Sequence, residues 1–78
     1  MSQKPFSAKM ISDYEERRNA LLADGYRVRH ETAFEDGAMC RLHHMSNGND
    51  IVITARGFHL TQKTNRVIVH EQDYYPIP

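Results

Sequence analysis

The chain has 78 residues, so it makes one domain, and at that length folding buries only about 60% of the surface the unfolded chain exposes. Its 40% hydrophobic and 26% charged content is that of an ordinary soluble globular protein and excludes a disordered or collagen-like chain. Ten basic and ten acidic residues cancel, so global charge favours neither nucleic acid nor basic partners, and any electrostatic function must come from segregation of charge.

Met1 to Lys9 lacks the apolar core of a signal peptide, and no apolar run approaches the ~18 residues that span a membrane. A single cysteine, Cys40, excludes an internal disulfide and suits a reducing compartment, so the expected location is cytoplasmic.

Near the start, Met10, Ile11, Tyr14, Leu21 and Leu22 recur at helical spacing, with Arg18 in the same stripe. Two starts are open: Ser7 as the cap, or Ser12 with Glu15 as a capping box that leaves residues 6–11 extended. Gly25 reads as the terminating residue. Three strands are then expected at 26–34, 38–45 and 50–56, and a fourth at 66–71. Residues 57–65 read either as a loop or as a bulged continuation of the third strand turning near 63–65. The tail, 72–78, carries prolines that stop a ladder; it is either a flexible segment or one folded back on its own domain, and its aromatic, proline-stiffened end also suits docking in a partner's groove. The expected fold is α+β: one N-terminal helix on one face of a three- to four-stranded antiparallel meander, αβββ(β).

The turn Ser46-Asn47-Gly48-Asn49 is the strongest local signal, since Asn-Gly between alternating runs marks a two-residue hairpin. That turn pairs His44 with Ile51 and Leu42 with Ile53, which puts Cys40, Leu42, His44, Ile51, Ile53 and Ala55 on one apolar face. In the first hairpin, a three-residue loop Glu35-Asp36-Gly37 with Gly37 left-handed pairs Phe34 with Ala38 and Glu31 with Arg41. Tyr26, Val28 and Thr32 then join the apolar face.

The uncovered face collects Arg27, Arg29, Arg41, His43 and Arg56, with Met39 and Val52 as its apolar centre, and the last strand adds Arg66, Ile68 and His70. Among the strands only Glu31 offsets these charges; Asp13, Glu15, Glu16, Asp24, Glu35 and Asp36 sit on the helix and turns. Guanidinium groups among apolar side chains favour an acidic protein surface or an RNA backbone, and the expected absence of aromatics on this face lowers the RNA reading. A small protein-binding inhibitor or adaptor is therefore expected, acting through Arg27, Arg29, Met39, Arg41, His43, Val52 and Arg56. The alternative is an RNA-binding or RNA-cleaving protein using the same face, with His43 as general base between Arg29 and Arg41. An unguarded last strand also allows a homodimer.

Cys40, His43 and His44 have the residue types of metal ligands, but alternation points Cys40 and His44 one way and His43 the other, and His30 reaches the pair only diagonally. No metal, cofactor or catalytic residue is assigned. The run Leu21-Leu22-Ala23-Asp24-Gly25-Tyr26 and the strand order resemble the small HicA-type RNase toxins, which implies a double-stranded-RNA-binding-like fold. That family's Gly-Ser-His motif is absent here, so no residue role is carried over.

Overall fold

A computed structural model describes residues 5–75. Helix α1, Ala8–Ala23, starts at Ser7, whose side-chain oxygen accepts a hydrogen bond from the Met10 amide at 3.2 Å; Ser12 lies inside the helix. The Ser7 amide donates to the Gly57 carbonyl at 3.0 Å, which pins the helix start to the sheet. Met10 and Tyr14, one turn apart, carry the buried stripe, with Ile11 and Leu21 partly buried beside them. The helix ends at Asp24, followed by Gly25 at φ +101°.

Five strands follow: β1 Tyr26–Phe34, β2 Gly37–His44, β3 Asp50–Arg56, β4 His59–Thr64 and β5 Val67–Asp73. They form one antiparallel meander in chain order, an α+β fold with one strand more than expected. The extra strand, β4, comes from the stretch left open between loop and bulge. Its turn to β5 is Asn65-Arg66, both left-handed at φ +49° and +72°, as a two-residue hairpin turn requires. Asn65 is held there by three bonds: its amide to the Asp50 carbonyl at 2.8 Å, its side-chain oxygen to the Asp50 amide at 2.9 Å, and its side-chain nitrogen to Asn49 Oδ1 at 3.1 Å. These contacts offset the cost of a left-handed arginine next to it.

Both hairpin registers differ from expectation. The β2–β3 connection spans Met45, Ser46, Asn47 and Gly48, because the Gly48 amide donates to the His44 carbonyl at 2.9 Å and the His44 amide to Asn49 at 3.0 Å. Leu42 therefore faces Ile51 rather than Ile53. The slip is two residues, so every side chain keeps its face.

In the first hairpin the turn is Glu35-Asp36, and Gly37 is already a strand residue paired with Phe34. A Cβ at Gly37 would lie 1.8 Å from the Ala55 carbonyl oxygen, so the glycine serves close approach of β2 to β3 rather than a bulge. The bulge sits instead at Arg29, between Val28 and His30. It reverses the alternation midway along β1. Tyr26 and Val28 share the side of Leu42, as expected, but Glu31 pairs with Cys40 on the helix side and not with Arg41. Thr32 moves to the open face, and His30 is the residue opposite Arg41. Under the helix, Glu31 Oε2 accepts from Tyr14 at 2.8 Å and from Arg18 at 2.7 Å, which accounts for an arginine in the apolar stripe.

The core lies between α1 and the sheet. Met10, Tyr14, Cys40, Leu42, Ile51, Ile53, Ala55 and Leu60 are buried there, bounded by Tyr26 and Tyr74. His44 caps one end: its ring packs edge-on to Tyr26 at 4.8 Å, Nε2 donates to the Asp24 carbonyl at 3.1 Å, and Nδ1 accepts the Ser46 amide at 3.2 Å. Tyr74 closes the other end. Its amide donates to the Phe58 carbonyl at 2.6 Å and its hydroxyl to Asp13 at 2.6 Å, which holds the Asp13 carboxyl below its ordinary range together with Lys9. Of the tail, Gln72 and Asp73 belong to β5 and Tyr74 folds back onto the helix; residues 76–78 lie outside the described part.

Candidate docking face

Pairing across the five strands sets the open face in four rows. The first holds Arg27, His43 and Asp50. The second runs His30, Arg41, Val52, Lys63 and Ile68; the third Thr32, Met39, Thr54, Thr61 and Glu71. The fourth ends the sheet with Phe34, Arg56, His59 and Asp73. His70, expected on this face, pairs with Gln62 on the helix side, because a second bulge falls at Val69.

The cations gather at the end nearest the β2–β3 loop. Arg41, Asp50, Val52, Lys63, Asn65 and Arg66 line a cleft of about 730 Å³. Asp50 lies amid these charges: His43 Nδ1 is 2.8 Å from its Oδ1, and this bond, with the fields of Arg29 and Arg41, holds the carboxyl below its ordinary range. Arg29 stands at the β1 bulge, close enough to act on the same carboxylate. The face therefore has its own carboxylates, Asp50, Glu71 and Asp73, where Glu31 alone was expected.

Arg56 is separate from this cluster. Its Nε donates to Asp36 Oδ1 at 2.7 Å, and its guanidinium lies 4.0 Å from the centroid of the Phe34 ring. Phe34 is thus an aromatic on the open face, against expectation, but Arg56 covers it. The seven expected contact residues resolve into a cluster (Arg27, Arg29, Arg41, His43, Val52), a central Met39 and a remote, engaged Arg56. Lys63 escaped the sequence reading because its strand did.

The far end is acidic. His59 places Nδ1 2.5 Å from Asp73 and Nε2 3.1 Å from Glu71. The Asp73 hydrogen bond, supported by the Asp73 and Glu71 charges, raises the His59 pKa above its ordinary 6.5. A raised histidine contributes most below the unfolded pKa and loses that contribution as pH rises through the folded one. The melting-temperature loss caused by His59→Gln is therefore expected to be larger near pH 5.5 than near pH 9; equal losses at both would mean the clamp is not ionic.

Chain comparisons give no relative: the sequence matches no protein-family model and no curated protein, and the fold matches no solved structure. The site must be read from its own chemistry. Among the described residues no group of three His, Cys, Asp or Glu side chains is placed to hold a metal. Cys40 is buried against Tyr14 and its thiol pKa is raised by that burial, which disfavours the thiolate a nucleophile needs. His30 stands on the opposite side of the sheet from Cys40. No helix of the described residues is long and apolar enough to cross a membrane.

Proposed function

We propose that this is a non-enzymatic binding protein, an inhibitor or adaptor, that grips an acidic protein surface with the cationic end of its open sheet face. The observation that carries the reading is the gathering of Arg41, Lys63 and Arg66 around half-buried Val52 and its cleft, with Arg27 and Arg29 on the adjoining edge strand β1. Arginines on a rigid sheet around an apolar centre suit protein surfaces, where guanidinium groups pair with carboxylates in a fixed fork. Single-stranded RNA would ask for free aromatic faces, and Phe34 is occupied by Arg56.

The test compares proteins captured by wild type, by Arg29→Glu/Arg41→Glu and by Arg56→Glu. The double reversal is expected to weaken capture of a specific acidic partner by at least ~100-fold, as when like charges are set against each other in an interface, and Arg56→Glu to leave it nearly unchanged. Partners retained by the double mutant would show the wrong surface was chosen. Retention on RNA at low salt, with a log-linear salt slope that falls by about one in Arg41→Ala, would replace this reading with the RNA one.

A further inference from the structure

The two edges of the sheet are not alike. β1 carries Arg27, Arg29 and Glu31 and places its bulge at charged Arg29, the devices that keep an edge from pairing. β5 has only a bulge, at Val69, and no charge over its first half: Val67, Ile68 and Val69 are consecutive and 64%, 51% and 55% exposed. α1 packs across β1 to β4, leaving β5 without a buried residue. With the Tyr74 amide bonded to Phe58, alternation turns the backbone groups of Glu71 and Asp73 away from β4, toward the open edge. Such an edge is a template for another strand.

We infer that the protein forms a two-fold symmetric dimer by antiparallel pairing of β5 with β5 of a second copy. The charge along the strand names this occupant. Arg66, with Lys63 beside it, stands at one end, and Glu71 and Asp73 at the other. An axis passing near Val69 sets the cationic end of each copy along the acidic end of its twin, twice over, and brings the exposed valines and isoleucine together at the centre. A domain this small also gains from burying more apolar surface. The inference does not rest on the docking reading; Lys63 and Arg66 belong to both surfaces, but Arg27, Arg29 and Arg41 stay clear of the axis.

Sedimentation velocity of the full chain over ~1–500 μM suits an interface at the small end of the range. The expected result is a concentration-dependent rise from the 9.1 kDa chain mass to twice that value. Val69→Lys places like charges on the axis and is expected to raise the dissociation constant at least ~10-fold. Val69→Cys should give a covalent dimer on mild oxidation, while Asn47→Cys, on the exposed β2–β3 loop, should not. Monomer at every concentration overturns the inference. So does a dimer that survives Val69→Lys, or equal cross-linking at both cysteines. If Val69→Lys fails to fold, the cross-linking pair still decides.

Discussion

Gly37→Ala is expected to remove about 4 kcal/mol of stability or more, an effect in the exceptional tail for single substitutions. The added methyl would lie 1.8 Å from the Ala55 carbonyl oxygen and 2.8 Å from its carbon. Both are backbone atoms of the central strand, β3, so no side-chain rotation relieves the clash. β2 must separate from β3 there, which loosens the Gly37 pair with Arg56 and the neighbouring Ala38 pair with Ala55. Domains of this size carry roughly 0.05–0.15 kcal/mol per residue, so the loss consumes much of the total. Urea unfolding followed by circular dichroism measures it. A midpoint within error of wild type would mean that the strands are not that close.

That glycine shows how far the sequence could be read. Its residue type announced a backbone requirement near 35–37, and a hairpin was correctly expected, but a left-handed turn glycine and a close-approach strand glycine look the same in a sequence. The choice moved the bulge from Arg29 to Gly37 and misplaced Glu31 and Thr32 together. The Asn47-Gly48 error was harmless, since a slip of two residues preserves faces, and Cys40, Leu42, Ile51 and Ile53 stayed in the core. β4 was lost because Asn65-Arg66 has no glycine: its left-handed turn is held by tertiary bonds from Asn65 to Asp50 and Asn49, which local sequence does not reveal. With β4 went Lys63, and with the wrong turn went the partnership of Arg56 with Asp36 and Phe34. The arginine face was legible because alternation alone defines it; its division into a cationic and an acidic end was not, because that depends on which charges are already paired.

Tyr14→Ala is expected to cost about 3–5 kcal/mol, the range for deleting a buried aromatic ring. Tyr14 is 2% exposed in the centre of α1's buried stripe, and its removal opens a cavity beside Cys40. It also takes away a hydroxyl that Glu31 accepts from at 2.8 Å. Tyr14→Phe separates the two contributions. It keeps the ring and is expected to cost about 1–2 kcal/mol, the lower part of the range for a bond to a charged group, since the Glu31 carboxylate is partly open to water. The same variant tests the charge state. Burial pushes the Glu31 pKa up, but the hydrogen bonds from Arg18 and Tyr14 outweigh it and hold the carboxyl below its ordinary 4.5. A depressed carboxylate contributes stability above its unfolded pKa and loses it as pH falls through the folded value. The difference between wild type and Tyr14→Phe should therefore be full near pH 7 and smaller near pH 3.5. A difference that holds constant across this interval would show that the hydroxyl acts through packing and not through the ionised carboxylate.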